Sequence, residues 1–473
     1  VVFDNMYVSL ALCSPSRTAF LTSRRPDTSR VWEISNSEYW RRSGGNFTTL
    51  PQYFKESGYL TIGVGKTFHD GYASNFSDIQ YSWSPESLPY VQQFPEPDGS
   101  TVYQIGADAV YPWDADDEEM GEGKLASHAA SVVRQIASKR KAGDQRPYFL
   151  AVGFHRPHIP FRAPRHYYEM YDVNMPLAPH LSLPTGIPSV AVSNQWQTYW
   201  RKFKDLKEVE VTQGYPYDNT TVPEVVQKKI RQAYRASVSF TDRNIGVVIA
   251  ELKAAGLFDN AVIAFLGDHG FQLGDNDHWG KHTNFEHATR IPAMMRIPGV
   301  TATGRHSNAF VESVDFFPSL VEAATGTKLP LCPESLQEAR GVEMCTEGSS
   351  LVDLVKSPDL PWKRAAFSQY ARVNETVMGY TIRASGWRYT EWAAFNTSRE
   401  GTGPNWSDLK GVELYSHEPQ QASCGWGFEH QNLAEDSKFS AVRSRLSRWL
   451  REGWRHSFPP HVDAVAEQEE LWV

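Results

Sequence analysis

The stretch CSPSRTAFLTSR brings a thiol, hydroxyls and a guanidinium together at the start of a helical pattern. Its proline cannot donate a backbone hydrogen bond to a strand, so a strand that begins at the first residues has to end near here. The following residues predict a short helix capped by Ser14 or Ser16. A helix N-terminus presents free N–H groups, and Arg17 adds a planar donor fork. We therefore expect Cys13 to face an anion-binding site.

Polar side chains follow three apolar runs that predict buried strands. Because ligands of an open α/β sheet bind beyond the carboxyl ends of its strands, we expect these side chains to meet at one rim. They offer ammonium groups for an anionic substrate, a carboxylate for a hard metal ion and imidazoles for proton transfer. The runs are 58–66 with Lys66 and His69, 147–154 with His155 and His158, and 261–268 with Asp268 and His269; Lys281 and His282 lie shortly beyond.

The pair His155 and His158 is also compatible with zinc ligation. Pro157 and Pro160 exclude a regular helix there, so the spacing does not place both imidazoles on one metal ion. No third ligand of the usual histidine or cysteine type is evident in the sequence. We therefore favour proton transfer and anion binding over zinc for these imidazoles.

The order of apolar runs and amphipathic patterns predicts an α/β fold. Helical patterns at 124–143 and 223–256 each precede an apolar strand run, which indicates a large mixed, mostly parallel sheet sandwiched by helices. Beyond about residue 355, strand patterns with short turns and a closing basic amphipathic helix indicate a smaller antiparallel sheet plus helix. We expect that helix to pack on the small sheet rather than on a membrane or an acidic glycan. The prediction is a catalytic domain over 1–355 and a C-terminal α+β subdomain over 356–473.

Composition restricts the classes of partner. The formal net charge is −8, which disfavours a nucleic-acid binder because phosphate contacts usually come with a basic surface. No apolar run has the roughly 18 residues that a membrane span needs. The chain opens on VVFDN, which is typical of the middle of a strand and unlike a signal peptide, so we expect the true first strand to precede it.

Sequons and cysteines indicate the secretory route. Cys332 and Cys345 flank a 12-residue segment, where a disulfide would close a short ring, whereas Cys13 and Cys424 have no evident partner. Six Asn-x-Ser/Thr sequons predict a glycosylated protein. They lie at Asn46, Asn75, Asn219, Asn374, Asn396 and Asn405.

The motifs along the chain resemble those of the type I sulfatase family, and among them those of its branch that acts on sulfated uronate. The resemblance covers most of residues 1–435. It implies an alkaline-phosphatase-like fold and hydrolysis of sulfate esters. The expected substrate is the 2-O-sulfate of L-iduronate in heparan or dermatan sulfate, or a related sulfated uronate glycan. The motifs are, in order, CSPSRTAFLTSR, RRPDT, NFTTLPQYFKESGY, VGKTFH, FLAVGFHRPHIPF, KIRQAYRASVSF, GDHGFQLGD, MGYTIR and GVELY.

The same resemblance implies that Cys13 is oxidised to formylglycine by a formylglycine-generating enzyme during secretion. A hydrated aldehyde offers one hydroxyl to attack sulfur and a second whose deprotonation expels sulfate. Arg17 and Lys66 would stabilise this group and the sulfate, and His69 would assist proton removal. Ser23 stands where the modification element usually has glycine, so incomplete oxidation is expected.

Two further pairs are implied to contact the substrate. His155 and Lys281 would bind the sulfate, with one of them protonating the departing sugar oxygen. Phe271 and His282 occupy positions where the family has tryptophan and tyrosine near the uronate. They are therefore expected substrate-binding residues, with an altered sugar preference.

A calcium ion is the implied metal cofactor, held in part by Asp268 and His269. The family's other ligands are two adjacent aspartates upstream of the cysteine element, and nothing before Cys13 supplies them. We therefore expect the chain as given to bind metal weakly and turn over poorly. The implied location of the whole protein is lysosomal or secreted.

Two alternatives stay open. A phosphatase or phosphonate ester hydrolase of the same fold would share the metal and anion site, although such enzymes usually place serine or threonine at the nucleophile position. A catalytically silent glycan-binding homologue is compatible with the absent aspartates and with the 15 tryptophans. Parallel assays with aryl sulfate, aryl phosphate and glycan separate the three.

Overall fold

A computed structural model gives the fold of the chain. Strands and helices alternate through the first part, and four long strands and a helix follow. The structure describes residues 1–34, 38–85, 91–101, 106–193, 200, 202–207, 222–372, 375–398, 401–417 and 429–459. The sequons at Asn219 and Asn374, and Cys424, lie outside these residues.

The strands of the described residues form two four-stranded and two two-stranded sheets. They are β1 (Val2–Tyr7), β2 (Leu60–Gly65), β3 (Tyr148–Gly153), β4 (Ile263–Leu266), β5 (Gln272–Leu273), β6 (Trp279–Gly280), β7 (Arg290–Arg296), β8 (His306–Glu312), β9 (Ala365–Arg372), β10 (Val377–Ala384), β11 (Trp387–Asn396) and β12 (Gly403–Ser416).

The α-helices include two long ones that cover the first part of the chain and a basic one near its end. They are α1 (Cys13–Thr22), α2 (Pro26–Ser29), α3 (Trp40–Ser43), α4 (Leu50–Glu56), α5 (Ile79–Ser82), α6 (Gly121–Lys141), α7 (Arg165–Glu169), α8 (Glu224–Ala254), α9 (Glu286–Thr289), α10 (Phe316–Thr325), α11 (Leu336–Gly341), α12 (Val352–Lys356) and α13 (Ser440–Glu452). None of the helices described here has the length and apolar character needed to cross a bilayer.

The larger sheet of the first part has the order β4-β7-β1-β8. β1 pairs parallel with β8 and antiparallel with β7, and β7 pairs antiparallel with β4. The sheet is therefore mixed, as expected, but two of its three pairings are antiparallel rather than mostly parallel, because β7 runs opposite to both of its neighbours. β1 ends at Tyr7, earlier than the apolar pattern predicts, and the chain then turns into α1.

β2 and β3 form a separate parallel pair, with Val64 opposite Val152. Helix α6 packs on this pair through one apolar face that includes Leu125, Val132 and Ile136. On another side, β3 and β4 contact a cluster that contains Phe20 of α1. Helices therefore cover both faces, and the α/β class is confirmed.

The second four-stranded sheet is antiparallel, with the order β12-β11-β10-β9. Helix α13 buries Leu446 and Leu450 against it, so the basic helix packs on the small sheet as predicted. A second cluster of this sheet, which includes Tyr370 of β9, contacts Leu10 and Leu12. Since these leucines lead directly into α1, the second sheet helps to position Cys13.

Candidate active site

Cys13 is the first residue of α1, and its exposed fraction is only 1%. The predicted serine cap is wrong: Leu12 is the N-cap residue, and no side chain caps the helix. The hydroxyl of Ser16 donates instead to the backbone oxygen of Asp268, which ties the helix to the end of β4. The N-terminal turn of α1 therefore faces the strand ends with its thiol buried.

Three nitrogen atoms surround the Cys13 sulfur. Lys281 Nζ donates to it at 2.8 Å, Lys66 Nζ lies at 3.4 Å and His269 Nε2 at 3.3 Å. Burial alone would raise the pKa of the Cys13 thiol, but the two ammonium groups outweigh burial and hold this pKa well below its usual value. The pocket therefore stabilises negative charge at the position of the sulfur.

Arg17 holds the rim of the pocket. Its Nε donates to Asp268 Oδ2 at 2.9 Å, and its Nη1 donates to the backbone oxygens of Lys66 and Thr67. Burial would raise the pKa of Asp268, but Arg17, followed by His269 and both lysines, keeps this pKa well below its usual range. Arg17 thus joins α1 to the ends of β2 and β4, and the predicted convergence at one rim is present.

His155 follows β3 and is held by Glu122 of α6. The His155 backbone N–H donates to Glu122 Oε2 at 2.9 Å, and its ring Nδ1 lies 3.0 Å from Oε1. Burial lowers the pKa of His155, and Glu122 partly opposes this change. The contact fixes the imidazole orientation and leaves Nε2 on the far side of the ring. Sequence analysis missed Glu122, whose only signal was an acidic residue in the first turn of α6.

Two further histidines lie in the field of the same cations. Burial lowers the pKa of His69 to about 4, and Lys66, Lys281 and Arg17 add to this effect. Burial, with Lys281 and Lys66, also holds the pKa of His158 well below its usual value. The His158 Nδ1 hydrogen-bonds the backbone oxygen of Ile159 at 2.6 Å, which orients the ring. Both imidazoles are therefore neutral near pH 7.

Residues of the second sheet reach the pocket beside Lys281. The Tyr370 hydroxyl and His282 Nδ1 share a hydrogen bond of 2.5 Å, and Arg372 Nη2 donates to the His282 backbone oxygen at 2.7 Å. Burial followed by Lys281 lowers the pKa of His282 well below its usual value. Sequence analysis missed Tyr370 and Arg372, because only long-range packing brings β9 to this loop.

Phe271 lies in an aromatic cluster at another side of the pocket. Its ring stacks on Tyr234 of α8 with a centroid distance of 5.5 Å and contacts Phe161 edge to face at 5.8 Å. The carboxylate of Asp268 raises the pKa of Tyr234, after burial as the main cause, which places this ring close to the strand end. Phe271 therefore supplies an apolar wall close to the polar rim.

The described residues do not complete a calcium site. Ligand atoms of Cys13, Asp268 and His269 lie within 4.8 Å of one another, but Asp268 is the only carboxylate among them. That carboxylate is paired with Arg17, and His269 Nε2 lies 2.9 Å from Lys281 Nζ. Calcium takes six to eight oxygen ligands, and ammonium groups repel it. We therefore assign no chemical step to a metal ion here.

One disulfide and four glycosylation sequons lie outside the pocket in the described part of the chain. The structure joins Cys332 and Cys345 by a disulfide. The four sequon asparagines among the described residues are all exposed, so a glycan at any of them meets no burial cost. They are Asn46, Asn75, Asn396 and Asn405.

Comparison with known sequences gives one family and close relatives. The family model described as Sulfatase matches residues 1–327. The chain is 37% identical over 468 residues to the iduronate 2-sulfatase of Mus musculus, covering 88% of this chain and 82% of that protein. It is 36% identical over 472 residues to the iduronate 2-sulfatase of Homo sapiens, with the same shares covered.

Comparison with solved structures gives the same fold. A phosphonate monoester hydrolase from Silicibacter pomeroyi aligns with a TM-score of 0.65 at 20% identity, over 97% of this chain and 88% of that one. A protein titled as a 2-O GAG sulfatase aligns with a TM-score of 0.60 at 18% identity, over 96% of this chain and 83% of that one.

Proposed function

Because the chain belongs to the sulfatase family and hydrolyses sulfate esters, we propose that its substrate is the 2-O-sulfate of L-iduronate, or of a related uronate, in a sulfated glycan. The specificity is supported by relatives named iduronate 2-sulfatase that match over most of their length. The reaction is supported by one observation above all: a buried Cys13 whose sulfur contacts Lys281, Lys66 and His269. Such a pocket binds an anion and stabilises charge that develops beside it.

The surroundings of Cys13 suit its oxidised form. Sulfatases generally use a formylglycine made from this cysteine together with a divalent metal. As the hydrated aldehyde, formylglycine supplies two hydroxyl groups on one carbon, one for attack on sulfur and one for releasing the sulfate. Lys281 and Lys66 are placed to donate hydrogen bonds to oxygens at the sulfur position, and His269 is placed to accept one.

Proton abstraction is assigned to an imidazole that is neutral at working pH, and proton donation to a group that binds the sulfate. His69, with its pKa of about 4, takes a proton from a hydroxyl in the pocket. His155, oriented by Glu122 through Nδ1, and Lys281 bind the sulfate oxygens, and one of them protonates the leaving sugar oxygen. Phe271, from its aromatic cluster, and His282, next to Lys281 in the chain, are proposed to contact the sugar.

The metal ligands that the described residues lack are proposed to come from a further strand. β3 ends the two-stranded sheet, β4 ends the four-stranded sheet, and no described strand pairs with the second edge of either. Side chains of both strands contact one apolar cluster, from which we infer a slot between the two edges. Every residue of β3 and β4 is half-buried, whereas every residue of β2 is buried. An extended segment in this slot would place carboxylates beside Asp268 and permit the calcium site. The domain boundary at residue 355 also stays a prediction, supported by the separate sheet that begins at Ala365.

Maturation and location are proposed from the sequons and the thiol. Exposure supports glycosylation at Asn46, Asn75, Asn396 and Asn405, and glycosylation at Asn219 and Asn374, which lie outside the described residues, is proposed from the sequence alone. A formylglycine-generating enzyme acting on Cys13 places maturation in the secretory route. The protein would then act in the lysosome or after secretion.

The decisive test measures sulfate release from defined disaccharides with a 2-O-sulfated terminal uronate. The full-length protein is co-expressed with a formylglycine-generating enzyme, and the mass of the Cys13 peptide is determined. We expect loss of sulfur at Cys13, release of sulfate, and no activity in Cys13→Ala. Cleavage of aryl phosphate or phosphonate in preference to sulfate would favour the phosphatase alternative. Glycan binding without any release by the modified protein would favour a silent homologue.

A further inference from the structure

Exposed aromatic side chains are concentrated in the segment that follows His69. The exposed fractions are 77% for Tyr72 and 55% for Phe76. Their ring centroids lie 6.1 Å apart with 63° between the ring planes, so the two rings meet at an angle. We call this pair, Tyr72 and Phe76, the aromatic corner. Large apolar rings in water lose the favourable free energy of burial, so a pair held in this way indicates a surface that something covers.

The backbone that presents these rings is strained and firmly held. Residues 75–78 all have positive φ angles, including Phe76 at 55°, a conformation that is unusual for a bulky side chain. The buried Asp78 carboxylate accepts hydrogen bonds from Arg41 at 2.8 Å and from Ser82 at 2.6 Å, and Trp83 Nε1 donates to the Ser77 backbone oxygen at 3.0 Å. Local strain that the surroundings maintain in this way is typical of functional segments.

The aromatic corner is continuous with the active site. Ser74 Oγ donates to the backbone oxygen of His69 at 2.5 Å, and the short 3₁₀ turn Tyr72–Ser74 lies against α1, whose first residue is Cys13. Three residues of chain span at most about 11 Å, so Tyr72 stands at the rim beside His69. A polymer whose sulfated unit enters the pocket can therefore extend across this rim.

We propose that Tyr72 and Phe76 form a carbohydrate subsite that stacks against a pyranose ring adjacent to the sulfated one. The proposal rests on the proposed glycan substrate and adds a binding position to it. Flat, partly apolar sugar faces match exposed aromatic rings, and the phenol hydroxyl of Tyr72 adds a polar group. Asn75 lies between the two rings in the chain and is a sequon, so a glycan attached there has the same sugar chemistry. The continuity with His69 favours the substrate over this attached glycan.

The test compares the full-length, modified protein with the double variant Tyr72→Ala/Phe76→Ala. Two substrates are used: 4-nitrophenyl sulfate, which has no neighbouring sugar, and a heparin-derived tetrasaccharide with a 2-O-sulfated terminal uronate. We expect kcat/KM for the tetrasaccharide to fall about tenfold and that for the aryl sulfate to stay within about twofold, since stacking of one ring contributes on the order of a tenfold change in affinity. Tyr72→Phe, which keeps the ring, is the matched control and should resemble the wild type.

Three results would overturn the subsite. One is an equal loss for both substrates, a second is no loss for either, and a third is a tetrasaccharide effect that disappears when Asn75→Gln is added, which would assign the rings to the attached glycan. If the wild type releases no sulfate from the tetrasaccharide, the proposed function fails. Binding of the tetrasaccharide to Cys13→Ser then decides the subsite: about tenfold weaker binding in the double variant supports it, and unchanged binding overturns it.

Discussion

Ser23 ends helix α1 in a backbone conformation that glycine adopts most readily. Its φ is 51°, in the left-handed region, and it is fully buried. The Ser23 hydroxyl compensates by hydrogen bonds of 2.7 Å to the Val314 backbone oxygen and to Thr346 Oγ1. A left-handed non-glycine residue costs about 1 to 2 kcal/mol, and each buried hydrogen bond returns about 1 kcal/mol. The two effects nearly cancel, which explains how serine is accommodated here.

Replacing Ser23 by glycine is predicted to increase formylglycine formation at Cys13 while changing stability little. The modification element usually has glycine at this position, and the substitution removes both the strain and the two hydrogen bonds. Peptide mass spectrometry of both proteins from one secretory host gives the modified fraction. Thr22→Ala alters the adjacent residue and serves as the control. An equal modified fraction in Ser23→Gly and the wild type would contradict the prediction.

The pKa of His69 sets the pH at which activity should fall on the acid side of the pH profile. Burial lowers its pKa to about 4, so the imidazole is neutral and can accept a proton at any pH above this value. We expect kcat/KM to stay level as the pH falls from 6.5 and to decline only near 4. His69→Gln should reduce kcat by about a hundredfold or more. His128→Gln alters a half-buried histidine of α6 and should leave the profile unchanged; a wild-type decline centred near 6.5 would exclude His69 as this base.

At the level of elements, the loop that carries Lys281 is held by the second sheet. Asn284 Nδ2 donates to the Gly379 backbone oxygen of β10 at 2.9 Å. Arg383, also of β10, donates to Glu286 Oε2 at 3.1 Å. At the start of the same loop, Tyr370 and Arg372 of β9 contact His282. The C-terminal sheet therefore fixes both ends of the loop, although none of its strands carries the nucleophile.

Glu429 completes this contact from beyond β12. It has a left-handed φ of 72° and a buried side chain, whose Oε2 accepts the Glu286 backbone N–H at 3.0 Å. Arg388 and His417 contact its other oxygen. Burial would raise the pKa of Glu429, but Arg388 outweighs burial and keeps this pKa below its usual value, so the group is a carboxylate. A metal ion is not needed here, because arginines already balance Glu286 and Glu429.

Glu429→Gln is predicted to lower kcat about tenfold with a smaller change in KM. Losing the carboxylate weakens the hold on the loop, and a shift of about 1 Å at Lys281 is enough to misplace its ammonium group. Glu413→Gln is the matched control, because Glu413 is equally buried and contacts Arg388, Trp392 and Tyr415 but not the loop. Both variants should lose about 3 kcal/mol of stability. Steady-state kinetics well below both melting temperatures test this; equal kcat losses would make Glu429 merely structural.

The sequence predicted helices and strands well where apolar residues recur with a regular period. β2, β3 and the helices α6 and α8 were predicted close to their observed bounds, because their apolar patterns are long and regular. Strand β8 was missed, since its pattern runs into that of the following helix. The expected serine cap was wrong because Ser16 serves a tertiary contact. Tyr370 and Arg372 have no local signal, since only packing of distant segments brings them to the pocket, and the acidic first turn of α6 was too weak a signal to assign Glu122 to His155.

At the scale of the whole molecule, the site is a cationic pocket in an acidic protein. The net charge is −8, yet Lys66 and Lys281 both contact one thiol, and Arg17 lies at the rim of the same pocket. The long-range field therefore does not attract a sulfated polymer, and recognition depends on short-range contacts at the pocket and its rim. Short-range recognition of this kind suits a substrate that is bound through one sulfate ester rather than through its total charge.

The inferred slot between β3 and β4 is the reason why the described residues do not complete a calcium site. Phe149 of β3 and Leu266 of β4 both contact the apolar cluster around Phe20, so the two strands pack on the same apolar cluster. Among the described residues, no second carboxylate lies beside Asp268 to help hold a metal ion. We therefore predict that calcium leaves the melting temperature of the 473-residue chain unchanged to within about 1 °C.

A form extended at its amino end, with an acidic strand in the slot, is predicted to behave differently. Paired edges and a completed ligand set should raise the melting temperature by a few degrees in calcium, because a ligand at about a hundred times its Kd adds about 2.7 kcal/mol. Asp268→Asn should abolish this calcium-dependent increase. Because the substitution also weakens the buried pair with Arg17, it should lower the calcium-free melting temperature as well, so the increase of each protein is measured against its own calcium-free value. Differential scanning calorimetry with and without chelator measures both effects, together with sulfate release. An extended form that gains neither calcium dependence nor activity would show that the slot is not where the metal ligands enter the fold.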